Sequence, residues 1–224
     1  MKKLITGLVA GSLMAGSAII VAAPSVDEVK ADIAEFQGYF LKIYTDVSLD
    51  EYQDRVISLP QNSERRANWE MQLDFPPYEE YVEQGQEEWD TPLANGTTLD
   101  ECMADSPPGN TYPYVDDAGK IHTIEGDINA CIEANGGKKE KYAGQKMARL
   151  TIIYKMRANG EPMAVDYSGE KMREWYAKGR EFYWTRRGQL NMACADCHVH
   201  NSGNKMRGDV LSAGLGHGTG FPVY

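Results

Sequence analysis

Apolar residues recur at helical spacing over several stretches of the chain. Ile33, Phe36, Phe40 and Ile43 fall on one face of a segment that opens with Ser25 and Glu28, the pair of a capping box. A short second helix is expected over Ser48 to Leu59, a break at Asp74-Phe75-Pro76-Pro77, and a helix from Tyr78 to Trp89. From Thr91 to Gly137 the composition turns to Gly, Pro, Asn and Asp, which predicts a long irregular excursion with at most a hairpin around Ile121 to Ile124. Helical patterning returns from Lys141 to Ala158, with Met147, Leu150, Ile153 and Tyr154 together and Gly160 as a stop. It returns again from Ser168 to about Arg187, carrying Met172, Trp175, Tyr176, Gly179, Phe182 and Tyr183, with Gly188 as a terminator. Beyond His198 the many glycines predict coil, and strand signals are few throughout.

The first residues follow a different pattern. Lys2 and Lys3 precede an apolar, small-residue run from Leu4 to Val21 that ends in Val21-Ala22-Ala23, the layout of a secretory signal peptide over residues 1–23. An uncleaved anchor is the rival, because the run is nearly long enough to cross a bilayer. Export to the periplasm is the expectation, with no membrane association once the leader is removed. In an oxidising compartment an even cysteine count fits disulfides, covalent attachments or both.

Charge narrows the partners. The chain of 224 residues is 42% apolar and carries a formal charge of -10. Nucleic acid and anionic membranes are therefore poor partners, and a basic protein is a better one.

Tyr81 to Trp89 (YVEQGQEEW) and Trp175 to Tyr183 (WYAKGREFY) share one pattern: an aromatic, three residues, Gly, one residue, Glu, one residue, an aromatic. A cysteine follows each copy, Cys102 and then Cys194. Read as a repeat, this implies two related halves that meet near Gly136 to Lys141.

The candidate chemistry lies in "NMACADCHVHN", Asn191 to Asn201. Cys194, Cys197 and His198 form C-x-x-C-H, the attachment pattern of c-type haem. Two thiols on one helical turn each add to a haem vinyl group, and the adjoining histidine falls under the iron. A zinc knuckle using Cys194, Cys197 and His198 or His200 is an alternative, but zinc wants four ligands and Cys102 and Cys131 make no second spaced pair. A redox dithiol lacks its βαβ context, and a plain disulfide remains a further alternative. Trp175, Tyr176, Phe182 and Tyr183 read as haem-packing residues or as ordinary core. Arg186 and Arg187 read as partners for propionates or as cations at a helix C-terminus. His200 is too close to His198 to reach the opposite face of the iron. Met206 and His217 are the distal candidates, and with 26 residues after His198 the distal ligand is expected to lie beyond Tyr224. Cys102 and Cys131, separated by turn-rich sequence in an exported chain, are expected to form a disulfide. Asp105 and Ser106 stand where a second haem cysteine and histidine would be in the first half, which therefore holds no haem this way.

Glu181 to Tyr224 (EFYWTRRGQLNMACADCHVHNSGNKMRGDVLSAGLGHGTGFPVY), Glu101 to Asn110 (ECMADSPPGN) and Ile128 to Gly137 (INACIEANGG) resemble the SoxA subunits of the SoxAX cytochromes of bacterial thiosulfate oxidation. The resemblance covers nearly the whole mature chain. It implies a mainly α fold with long irregular loops and two cytochrome-c-like domains, 24–140 without haem and 141–224 with it, the latter incomplete. It implies the one-haem form: a single covalent haem c on Cys194 and Cys197, His198 as iron ligand, and a Cys102–Cys131 disulfide. It also implies an L-cysteine S-thiosulfotransferase that joins thiosulfate to a cysteine of the carrier SoxYZ and passes electrons to a SoxX cytochrome. A simple periplasmic electron-transfer cytochrome, or a zinc-binding exported module, is the rival. The family's catalytic cysteine and arginine lie toward the C-terminus. This sequence has four cysteines and none to spare for that role, so the catalytic residues stay unassigned and the chain by itself is expected to be inactive.

Overall fold

The computed structural model describes residues 22–46, 48, 62–72, 74–76 and 78–215. The expected leader (but for Ala22 and Ala23), His217 and the expected Ser48 to Leu59 helix (but for Ser48) lie outside the described residues. The described chain is mainly α: α1 (Val26–Ile43), α2 (Ser63–Gln72), α3 (Glu79–Asp90), α4 (Leu99–Cys102), α5 (Ile124–Ala134), α6 (Gln145–Met156), α7 (Glu170–Trp184) and α8 (Cys194–His198). Two small antiparallel hairpins complete it, β1 (Tyr114–Val115) with β2 (Ile121–His122) and β3 (Lys205–Met206) with β4 (Asp209–Val210). Among the described residues no helix is long and apolar enough to cross a membrane.

α1 begins as its sequence predicts. Ser25 Oγ accepts from the Glu28 N–H and Glu28 returns the bond to the Ser25 N–H, so two orphan donors are satisfied at once. Gly160, at φ 85°, sits beyond α6 in the left-handed conformation that suits glycine.

Two buried clusters organise the molecule. The first gathers Trp89, Leu99, Met103, Ile124, Ile128, Ile132, Met147, Leu150, Ile153 and Tyr154 from α3 to α6. α3 and α6 cross closely because Gly85 brings no side chain: a Cβ there would lie 3.0 Å from both the Arg149 carbonyl oxygen and Ile153 Cγ1. The Arg149 guanidinium grips the Glu88 carboxylate in a two-pronged ion pair, with Nε at 2.9 Å from Oε2. The second cluster gathers Phe40, Ala195, Val199, Val210 and Ala213, with Phe36, Tyr39, Tyr183 and Leu215 against it. α1 therefore packs with the Cys194 segment, although it precedes the residues of the first cluster in sequence. Arg180 Nε holds Asp32 Oδ2 at 2.7 Å, Tyr176 donates to the same carboxylate, and Arg173 donates to the Pro24 carbonyl.

Three expectations need correction. The excursion from Thr91 to Gly137 is not irregular throughout, because it contains α4 and the full helix α5. Thr123 Oγ1 caps α5 by accepting from the Gly126 N–H, and Ile124, Ile128 and Ile132 recur every fourth residue toward the core. Gly126, Asp127 and Asn129 weaken its propensity, so tertiary packing stabilises it. α7 ends at Trp184, three residues before Arg187, where the chain turns into an isolated bridge between Arg187 and Met192. The segment beyond His198 is not all coil: β3 and β4 pair there, each too short to leave a period-two pattern.

Candidate functional site

The loop into α8 is held before the cysteines arrive. Arg187 and Met192 exchange backbone hydrogen bonds at 3.2 Å around a tight turn, with Gly188 and Asn191 at positive φ. Asp196 then fixes the start of α8: its carboxylate accepts from the Ala193 N–H at 2.8 Å and from Arg186 at 3.0 Å. That backbone donor first, and Arg186 second, hold the Asp196 carboxyl below the usual carboxylate range. Asn201 donates to the Asp196 carbonyl at 2.7 Å and ties down the far end of the turn.

Ala195 and Val199 are buried in the second cluster, which turns the neighbouring residues outward. Cys194 and Cys197, three apart and so on one helical face, are both free thiols; Cys194 is exposed and Cys197 half-buried. His198 is oriented by the strand of chain that returns past it. Its Nδ1 lies 3.1 Å from the Ser212 carbonyl oxygen and 3.0 Å from Ser212 Oγ, while Nε2 makes no hydrogen bond among the described residues. The Gly214 N–H donates to the His198 carbonyl at 2.9 Å.

These residues fit haem c. Thioether attachment needs two unpaired thiols two residues apart, and axial ligation needs a ring nitrogen with a free lone pair; both are supplied. Nearby, the Tyr183 hydroxyl is buried without a hydrogen-bond partner among the described residues, an orphaned donor of the sort that a bound polar group satisfies. Burial, and secondarily the charge of Cys194, push its phenol pKa up. A bare metal ion is less well served: among the described residues no group of three or more His, Cys, Asp or Glu is arranged to hold one.

The remaining sequence candidates are dispersed. Tyr183 packs edge-on against Phe36, but Trp175 donates to the Gly119 carbonyl, Tyr176 to Asp32, and Phe182 is exposed. Arg186 is engaged by Asp196. Arg187 lies over the Phe182 ring and donates to the Phe182 carbonyl near the end of α7, the helix-terminus role. His200 stands between Tyr39 and Trp184, at 6.4 and 6.1 Å between ring centroids, and Met206 is exposed on β3. Sequence reasoning missed Ser212, Asp196 and Gly214. Asp196 had a local signal, an acid at the third position of a helix; Ser212 and Gly214 had none.

Cys102 and Cys131 are disulfide-bonded, with Cα atoms 6.0 Å apart. The Asn135 side-chain amide donates toward Cys102 Sγ at 3.3 Å and to the Cys131 carbonyl at 2.8 Å.

The SoxA/TsdA cytochrome c domain family matches residues 84–163. An L-cysteine S-thiosulfotransferase subunit SoxA from Chlorobaculum thiosulfatiphilum is 38% identical over 88% of this chain and 68% of its own length. The chain belongs to the SoxA family. A second SoxA, from Allochromatium vinosum, is 34% identical over 97% of this chain and 78% of its own. The crystal structure of SoxXA from P. pantotrophus superposes with a TM-score of 0.54 at 30% identity, over 62% of this chain and 55% of that one. The mainly α architecture is that of a cytochrome c fold, and haem c is the cofactor that a cytochrome c domain implies. In this SoxA-family chain the matched span contains Cys102 and Cys131 and ends before α7 and the C-x-x-C-H helix.

Proposed function

We propose that this chain is the haem-bearing subunit of a periplasmic L-cysteine S-thiosulfotransferase, with one haem c tethered by Cys194 and Cys197 and ligated by His198. The observation that carries the reading is α8 itself: two free thiols on one face, followed by a histidine whose Nδ1 is engaged and whose Nε2 is open, in a chain whose relatives are named SoxA. The reading keeps two cytochrome-c-like halves, 24–140 and 141–224, although the first buried cluster takes α6 from the second half and the second cluster takes α1 from the first. The first half keeps a Cys102–Cys131 disulfide in place of a haem.

Bound haem supplies one-electron redox chemistry at its iron. The reaction served is the oxidative joining of thiosulfate to a carrier cysteine on SoxYZ: the S–H bond is lost, an S–S bond forms, one proton is released and two electrons leave through a SoxX-type cytochrome. The residues of this chain hold the haem, orient its histidine and brace the attachment turn through Asp196 and Arg186. The net charge of -10 suits basic partners.

The test is maturation of the full chain with c-type haem machinery in an exporting host. The expected mass is that of the processed chain plus one haem and less two hydrogens for the disulfide, with a pyridine haemochrome that survives denaturation. C194S/C197S loses the covalent haem. A colourless unfolded polypeptide, or a mass with two haems, rejects the reading.

A further inference from the structure

His198 meets the same residue twice. The Ser212 carbonyl oxygen and Ser212 Oγ lie 3.1 and 3.0 Å from Nδ1, so one ring nitrogen faces two oxygens of one serine. Ala213, next in the chain, is 2% exposed and anchors this strap in the second cluster. Gly214 closes the strap by donating its N–H to the His198 carbonyl at 2.9 Å, so ring and main chain are gripped from one short segment. No side chain fits at Gly214, because a Cβ would collide with the Tyr183 hydroxyl and lie 2.9 Å from Phe36 Cζ. Close packing therefore fixes where Ser212 stands.

We propose that Ser212 is a positioning residue whose hydroxyl, beside its own carbonyl, sets the tautomer and donor strength of His198 toward the iron; this rests on the haem reading above. Placing the proton on Nδ1 leaves the lone pair on Nε2 for a metal. Any residue at 212 supplies the carbonyl. The Ser212 hydroxyl supplies the second acceptor, which draws the Nδ1 proton further from the ring and makes Nε2 a stronger donor. A stronger donor favours the ferric over the ferrous state and lowers the reduction potential.

The experiment uses the full matured chain as wild type, S212A, S212T and S212V, reading covalent haem by pyridine haemochrome and midpoint potential by spectroelectrochemical titration at one pH. S212A and S212V are expected to keep haem and shift the potential upward, with S212T returning toward wild type. The Thr/Val pair has the same shape and differs in the hydroxyl. Loss of haem in S212A and S212V but not in S212T reads the same need for the hydroxyl. Potentials unchanged or lowered in S212A and S212V, or haem lost equally in all three variants, overturn the proposal. A wild-type chain that carries no haem rejects the haem reading and this inference with it, whereas haem-bearing variants with wild-type potentials reject the inference alone.

Discussion

His122 and Asp127 are joined at 2.6 Å between Nδ1 and Oδ1, across the turn from β2 into α5. Asp116 holds the other ring nitrogen at 3.1 Å, and Tyr114 stacks on the ring with 4.5 Å between centroids. The second Asp127 oxygen accepts from the Tyr112 and Tyr114 hydroxyls. This hairpin also meets α7, since Trp175 donates to the Gly119 carbonyl at 3.1 Å and the Lys171 ammonium donates to the Asp117 carbonyl.

That arrangement makes stability depend on pH. Burial disfavours the charged ring and Lys120 adds a small repulsion, but the bonds to Asp127 and Asp116 outweigh both, so the His122 pKa is raised. The stabilisation is complete below the ordinary imidazole pKa of about 6.5 and is lost as pH rises through the raised folded value. H122Q should unfold more easily than wild type at pH 6, by roughly 1.5–3 kcal/mol for hydrogen bonds to charged groups. The gap should narrow at alkaline pH, as read by chemical denaturation across the range.

The two glycines of the repeated pattern predict opposite outcomes. Gly85 is wedged against the Arg149 backbone and Ile153, so G85A should destabilise by about 1–3 kcal/mol through overpacking. A methyl group at Gly179 would meet nothing within 4 Å, so G179A should stabilise by up to about 1 kcal/mol through helix propensity. Thermal melts of the two variants check the signs.

The Cys102–Cys131 bridge closes a sequence separation of 29 residues. Replacing both cysteines with serine should cost about 3–4 kcal/mol in the chain-entropy account. Urea unfolding measures the loss, and retention of covalent haem in the same variant shows that the second half attaches it independently.

D196A removes both the acceptor for the Ala193 N–H and the partner of Arg186. Matured D196A should carry less covalent haem per chain than wild type. Because the Asp196 carboxyl is held low, its contribution is present above the ordinary aspartate pKa of about 3.9 and is lost as pH falls through the depressed folded value. The thermal-stability difference between wild type and D196A should therefore shrink on acidification.

Some of this was legible because it is local. The capping box of Ser25 and Glu28, the helical faces of α3, α6 and α7, and the C-x-x-C-H turn are each written within a few consecutive residues. The α5 helix was harder to see. Its three isoleucines are spaced correctly, yet Gly126, Asp127 and Asn129 resemble a loop until α6 and Trp89 cover their face. The packing of α1 against α8 was invisible for another reason: Phe36 and Phe40 are separated from Ala195 and Val199 by more than 150 residues of chain.

The sequence by itself determined the chemistry available, since thiol spacing and an adjoining histidine are properties of one helical turn. Only the tertiary structure decided what surrounds that turn. Ser212 reaches Nδ1 of His198, Gly214 closes on its carbonyl, and the Tyr183 hydroxyl is left buried without a partner among the described residues. Those relations depend on a chain reversal and on close packing between distant segments, and no local pattern of residues encodes a distance across a core.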